Sequence, residues 1–352
     1  MSIVMASNST LKKFEMATDK PMKIALITGG YSGEAEVSYK SARSVLNHLD
    51  KSRWEAHWLD ICPDGWFYVD EVGQRRPINK DDFSVRTENE TIQFEAALIM
   101  LHGTPGEDGK LQGYLDCIGM PYTSCNAATS ALTFNKRYTV AVAAFGGISV
   151  ARSLHLFREQ PYDLASILNQ LKLPVFVKPN NGGSSLGMSK VNEPDHLDEA
   201  IRKAFGEDQQ VLIEECIAGR EFTIGVLSFN QEIITLPITE IITQNEFFDY
   251  EAKYKGASQE ITPAQLDESM AARIRETAVS IYRIFNCSGV VRIDFIYNEK
   301  DQQPYMLEIN TVPGQSEASI IPQQVRAKGW TLTAFYSTLL DECLAKKNRK
   351  FA

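Results

Sequence analysis

The sequence predicts an α/β protein, α+β in parts, with a parallel sheet at its amino-terminal end. Three observations lead there. Near the start, the apolar runs KIALIT (23–28), WEAHWLDI (54–61) and FEAALIML (94–101) alternate with helical pattern, the mark of strands joined by crossover helices. Farther on, apolar runs follow one another at hairpin spacing, as in RIDFIYNEKDQQPYMLEIN (292–310). At 352 residues the chain is too long for one ordinary core, so two or three packed units are expected.

Residues 1–21 read as a disordered leader, because MSIVMASNSTLKKFEMATDK lacks the apolar region of a signal peptide. The first unit covers 22–125. It opens with the strand KIALIT, the Gly-rich turn GGYSGE and a helix over 35–49, and two more strands follow. Open sheets of this kind bind ligands outside the carboxyl ends of their strands. The second unit, 126–218, starts with a helix over 134–146 and the strand-like ISVARS (148–153) and VFVKP (175–179). A Gly/Ser loop, a helix near 194–205 and the strand QVLIEEC (210–216) complete it. The third unit, 219–352, pairs EFTIGVLSF with EIITLPI, then enters the polar stretch 239–264. The middle of that stretch suits few regular structures, so about 240–262 reads as a functional loop or lid. A helix over 264–285, the hairpin 292–310 and two terminal helices close the chain.

Composition narrows the function. The chain is 43% apolar and 23% charged, as in soluble globular proteins. A net charge of −9 disfavours nucleic acid as a partner, yet allows an anionic ligand in a locally basic cleft. Six cysteines stand at 62, 117, 125, 216, 287 and 343 without a C-x-x-C pair, which fits reduced core thiols in a cytoplasmic protein. No apolar run approaches the ~20 residues of a membrane helix, so no membrane partner is expected.

Four stretches carry candidate chemistry. Residues two apart on a strand share a face, so the hairpin gathers Arg292, Asp294, Glu308 and Asn310 on one side. ITGGYSGE (27–34) lacks the first glycine of a dinucleotide fingerprint, because Thr28 stands there, and Glu34 and Glu36 would repel a pyrophosphate. It is either an ordinary strand-to-helix turn or a place where Glu34 binds a substrate ammonium. HGTPGEDG (102–109) follows the third strand at the same sheet edge, and His102 there is either a structural hydrogen-bonder or a functional group. VKPNNGGSSLGMSK (177–190) offers Lys178, Gly182, Gly183, Ser184, Ser185 and Gly187. Backbone N–H groups, hydroxyls and a lysine point charge can wrap phosphates; a flexible hairpin tip is the plainer reading. In IEECIAGRE (213–221), backbone groups of Glu215 and Ile217 can meet a base edge and Glu221 can reach ribose hydroxyls.

Together these pieces resemble the D-alanine–D-alanine ligases of the ATP-grasp fold. HGTPGEDGKLQG, VKPNNGGSSLGMS, FDYEAKY, RIDF and LEINTVPG occur in order, and the similarity covers nearly all of 23–347. The resemblance implies an N-terminal parallel-sheet domain and two domains clasping ATP. It implies magnesium or manganese, two ions, on Asp294, Glu308 and Asn310, with ATP phosphates and water as further ligands. Lys136, Lys178 and Lys253 match phosphate-binding positions, Ser184 and Ser185 the loop over the phosphates, and Glu214, Glu215, Ile217 and Glu221 the adenosine site. Glu34 matches the carboxylate for the first D-alanine's ammonium, and His102 also lies in that substrate site. Ser319 and the backbone of Ile320 match the site for the second D-alanine's carboxylate. Arg292 is either a simple partner of Asp294 or, as the resemblance implies, an oxyanion donor together with the N–H of Gly314. Glu34, Ser184 and Tyr254 match a triad tying the lid to the phosphate loop.

The implied activity joins two D-alanine molecules through an acyl phosphate, for peptidoglycan precursors, in a cytoplasmic homodimer. Phe248, Glu215, Gln315 and Ala318 depart from the family pattern, the last two beside the second-substrate site. The alternatives are a D-alanine–D-lactate or other carboxylate–amine ligase and, in a different class, a non-catalytic nucleotide-binding protein. Tyr254 speaks for the dipeptide, because ester-forming members tend to have Phe there.

Overall fold

A computed structural model describes residues 20–183, 186–243 and 258–350. Three sheets organise the chain. The first is formed by β1 (Met22–Gly29), β2 (Trp54–Cys62), β3 (Gly65–Val69), β4 (Arg75–Pro77) and, after the short pair β5 (Val85–Arg86) and β6 (Thr91–Ile92), β7 (Ala96–Ile99). Its order is β4-β3-β2-β1-β7. The expected parallel pairing holds between β1 and its neighbours β2 and β7. The sheet then continues through antiparallel β3 and β4, which the sequence reading missed because the half-buried GWFYV and the three-residue RRP are too short to show an alternating period.

The second sheet holds β8 (Ser153–Phe157), β9 (Val175–Pro179), β10 (Ser189–Val191) and β11 (Gln210–Glu215) in the antiparallel order β10-β9-β11-β8. The helix expected over 134–146 is Lys136–Phe145, and a further helix that the sequence reading missed, Ala127–Phe134, precedes it. Asn135 separates them, with an extended backbone and a side chain that accepts from the Tyr138 N–H as an N-cap, the role for which Asn is favoured. The strand expected at 148–153 starts only at Ser153.

The third sheet has β12 (Arg220–Phe229), β13 (Glu232–Thr235), β14 (Thr239–Thr243), β15 (Ser258–Ile261), β16 (Val290–Asn298) and β17 (Gln303–Asn310). Its order is β15-β14-β12-β16-β17, with β13 on the end of β12. Residues 244–257 lie outside the described residues, and with them the middle of the expected lid. The helix Glu268–Ile284 covers one face of this sheet through Ile274, Ala278 and Ile281, packed with Phe222, Ile224, Ile293 and Phe295. That leaves the opposite face of β12, β16 and β17 for the cleft, and the 2-residue period decides which side chains stand on it.

The C-terminal helix Leu332–Lys350 returns to the first sheet, where Phe335, Tyr336 and Leu339 share a core with Ile24, Leu26 and Trp54. An ion pair of Arg53 with Asp341, at 2.6 Å, fastens the same contact. The first and third sheets therefore share one apolar core, which fixes the loops of one over the face of the other. All six cysteines are free thiols. Among the described residues no helix is long and apolar enough to cross a membrane.

Candidate active site

Two adjoining hollows, of about 400 and 630 Å3, share Lys136, Lys178, Gly182, Gly183, Glu214 and Glu308 in their walls. They form one cleft between the second and third sheets, and the loops of the first sheet close its end.

The hairpin β16–β17 supplies the floor. Its register sets Arg292 opposite Asn310 and Asp294 opposite Glu308, so the expected face is formed. The Arg292 guanidinium grips Asp294 twice, Nε to Oδ1 at 2.9 Å and an Nη2 bond to Oδ2 at 2.8 Å. Glu308 Oε1 lies 3.8 Å from the same Nη2. Asn310 Nδ2 is 3.2 Å from Asp294 Oδ2 and 3.5 Å from Glu308 Oε1. Thr223, across on β12, donates its hydroxyl to Asp294 Oδ1. Two carboxylates thus converge on the Asn310 amide, which turns its nitrogen to both; carboxylate oxygens are hard ligands of the kind Mg2+ takes. Among the described residues no group of three or more His, Cys, Asp or Glu stands ready to hold a metal. A Mg2+ ion held here would need further ligands from water or phosphate oxygens, as Mg2+ commonly has in phosphoryl-transfer sites.

Lys136 and Lys178 stand above this floor. Val175 and Val177 of β9 and Val211 and Ile213 of β11 point into the core under the helix Leu197–Glu207. Alternation therefore turns Phe176, Lys178 and Glu214 toward the cleft, where they line it. Lys178 and Glu214 form an ion pair with side chains 13% and 11% exposed. Lys136 Nζ donates to the Gly182 carbonyl at 2.7 Å, tying the first turn of its helix to the Gly/Ser loop.

Glu215, Ile217 and Glu221 line the wider hollow together with Cys216 and Arg220. The Glu215 N–H donates to the Arg152 carbonyl at 2.9 Å, and its side chain accepts from the Lys172 N–H at 2.8 Å. Of the backbone groups expected at Glu215, a base edge can thus take only the carbonyl. Strand pairing had already consumed the N–H.

The first sheet's loops bring Glu34 and His102 to the opposite end. A Cβ added to Gly103, whose φ is +69°, would sit 2.5 Å from Glu34 Oε2; one added to Gly183 would sit 2.7 Å from Glu34 Oε1. The Glu34 carboxylate therefore lies between the HGTPGEDG loop and the Gly/Ser loop because both positions lack a side chain. His102 is buried. Its Nε2 is 2.9 Å from Ser41 Oγ, which in turn accepts from the Gln315 N–H at 3.1 Å. Burial lowers its pKa to about 4; a backbone hydrogen bond at Val312 opposes the shift and the Arg292 charge adds to it. The imidazole is neutral and links the first sheet to the segment after β17.

Ser319 caps the helix Ile320–Ala327 without bonding its first turn. Its Oγ lies 2.7 Å from Ser316 Oγ, and a Cβ on Gly314 would meet it at 2.9 Å. A helix start whose N–H groups face a cleft suits a carboxylate. Gln315 is fully buried, donating to the Pro313 carbonyl and accepting from the Tyr336 hydroxyl at 3.3 Å, while Ala318 lines the cleft.

Two carboxylates that the sequence reading passed over also line it. Glu107 accepts from the Gly103 and Val312 N–H groups at 2.8 and 3.2 Å. Burial and then the neighbouring Glu34 charge push its pKa up to about 8. Its place in a Gly-rich loop was the available signal. The second, Glu260 on β15, carried none. Ser184, Ser185, Phe248, Lys253 and Tyr254 lie outside the described residues.

Known proteins match the chain along nearly its whole length. The family model described as D-ala D-ala ligase N-terminus matches residues 23–125, and that of the D-ala D-ala ligase C-terminus matches 136–341. The D-alanine–D-alanine ligase of Flavobacterium johnsoniae is 43% identical over 92% of this chain and 99% of its own. That of Phocaeicola vulgatus is 45% identical over 90% and 98%. Among solved structures, the VanG D-Ala:D-Ser ligase of Enterococcus faecalis superposes with a TM-score of 0.82 at 31% identity, over 92% of this chain and 99% of that one. The Bacillus anthracis D-alanine–D-alanine ligase complexed with ATP gives 0.75 at 26%, over 94% and 99%. These neighbours share the ATP-grasp fold, and so does this chain. With both halves matched in order and relatives above 40% identity over nine-tenths of its length, the chain belongs to the D-alanine–D-alanine ligase family.

Proposed function

We propose that the protein joins two D-alanine molecules into D-alanyl-D-alanine at the expense of ATP, supplying peptidoglycan precursors in the cytoplasm. The observation that carries this reading is the meeting, in one cleft, of the Arg292–Asp294–Glu308–Asn310 face, the lysines 136 and 178, and the Glu34 carboxylate. A dedicated phosphate site beside an ammonium acceptor is what ligation of an amino acid requires.

The reading divides the chain into three parts: an N-terminal substrate unit over 22–125, a central unit over 126–218 and a C-terminal unit over 219–352. Glu34 holds the first D-alanine by its ammonium and so points its carboxylate toward the γ-phosphate. Lys136 and Lys178, with Lys253 and the hydroxyls of Ser184 and Ser185, draw the phosphates into line; such transfer needs alignment and charge neutralisation more than covalent help. Glu214, Ile217, Glu221 and the Glu215 carbonyl border the adenosine. Asp294, Glu308 and Asn310 hold Mg2+ or Mn2+, two ions, which neutralise phosphate charge when bound. Ser319 and the Ile320 N–H take the carboxylate of the second D-alanine. Its amine attacks the acyl phosphate of the first, and phosphate leaves. Arg292 and the Gly314 N–H face the carbonyl oxygen as its charge grows; one such donor is worth roughly a hundred- to a thousand-fold in rate. Tyr254, with Glu34 and Ser184, ties the lid to the phosphate loop and keeps water from the acyl phosphate. We place the enzyme as a homodimer without nucleic-acid or membrane partners.

The test is product identification. With ATP, Mg2+ and equal D-alanine and D-lactate, mass spectrometry should find the dipeptide in excess over the ester, and phosphate release should depend on D-alanine. Phosphate release indifferent to D-alanine would exclude the reading.

A further inference from the structure

Glu260 has no part in the reaction as set out above. It lines the same hollow as Arg292, Gly314 and Ser319, half-buried on β15. Its Oε2 accepts from Gln323 Nε2 at 2.6 Å. Gln323 also donates from Nε2 to the Ala318 carbonyl at 2.9 Å and from its backbone to the Ser319 carbonyl at 3.3 Å. One glutamine thus joins Glu260 to the helix start at Ser319. Among the described residues no second donor reaches its carboxylate.

A carboxylate drawn out of water needs a charged or donating partner. The second amino acid brings one. With its carboxylate at Ser319 and Ile320, its ammonium lies a single carbon away, on the side of the reacting carbonyl. That ammonium must lose a proton before the nitrogen can attack. Glu34 serves the first ammonium, and Asp294 and Glu308 face Arg292 and Asn310. We infer that Glu260 receives the ammonium of the second D-alanine and takes one of its protons. This rests on the ligase reading.

The step balances. An N–H bond of the ammonium breaks and an O–H bond forms on Glu260. The freed amine forms the N–C bond as the C–O bond to phosphate breaks, and the second proton leaves on the phosphate. Burial raises the pKa of Glu260, while Gln323 and then Arg292 oppose the rise. A carboxyl so shifted accepts a proton more readily near neutral pH.

Glu260→Gln keeps the shape and the acceptor for Gln323 but removes the charge. Steady-state kinetics should show kcat/KM for the second D-alanine lower by about a hundredfold or more, with KM for ATP and for the first D-alanine at wild-type values. Hydroxylamine, a neutral nucleophile near pH 7, should trap the acyl phosphate as hydroxamate at the wild-type rate. Should Glu260→Gln fail to fold, Glu260→Asp carries the test, with the same selective loss expected from drawing the charge back by one methylene. An unchanged kcat/KM for the second D-alanine overturns the inference, as does an equal loss of hydroxamate in a folded variant. A wild-type protein that makes no dipeptide fails the ligase reading itself, a distinguishable result.

Discussion

Replacing Lys178 by Met keeps the side chain's reach and removes its charge. The pair with Glu214 is mostly out of water, at 13% and 11% exposure, so the orphaned Glu214 carboxylate is poorly solvated. Removing one partner of a buried pair costs about 3–5 kcal/mol. For 352 residues the unfolding entropy is about 0.7 kcal/mol per kelvin, so Tm should fall by about 4–7 °C. Adding Glu214→Met removes the stranded charge, and apolar replacement of a whole buried pair is often neutral, so the double variant should recover most of that loss. ATP binding should not recover. A lost charge-assisted hydrogen bond to phosphate is worth about 1.5–3 kcal/mol, or about 10- to 150-fold in affinity. Thermal unfolding of the four proteins, with titration calorimetry of ATP on each, separates the two effects. The reasoning is refuted if Lys178→Met melts with the wild type, or if the double variant melts no higher than Lys178→Met alone.

Glu308→Gln preserves the shape of the metal face and removes one charge, so turnover should fall and the Mg2+ concentration for half-activity should rise by about tenfold; a Mg2+ titration matching wild type removes Glu308 from the metal site. Glu107 holds its proton more tightly folded, at about 8, than unfolded, near 4.5, so its contribution to stability is complete below the lower value and lost as pH rises through the upper. His102, at about 4 folded against 6.5 unfolded, acts oppositely, stabilising above 6.5 and losing that as pH falls. Above 6.5 the His102 contribution is flat and Glu107 contributes a slope of about 2 kcal/mol up to pH 8, so Glu107→Gln should reduce the slope in unfolding scans by about that amount; an unchanged slope in the variant assigns it to another group.

The sequence alone determined the long strands around the cleft and which way their side chains face. KIALIT, VFVKP, QVLIEEC and the hairpin carry their periodicity locally, and the 2-residue repeat places Lys178, Glu214, Asp294 and Glu308 without knowledge of any neighbour. Antiparallel β3 and β4 and the helix before Asn135 stayed hidden, because such short segments carry too few residues to show a strand or helix period.

Only the tertiary structure decided the partners. The Lys178–Glu214 pair joins residues 36 positions apart, and the Ser41 link between His102 and Gln315 spans 61 and 274. Glu34 lies between Gly103 and Gly183, and Glu260 reaches the site across 63 residues through Gln323. A repeating pattern encodes a face because its energy is local. Which faces meet is settled when the shared core of the first and third sheets closes, and that closure sets burial, pKa and pairing together.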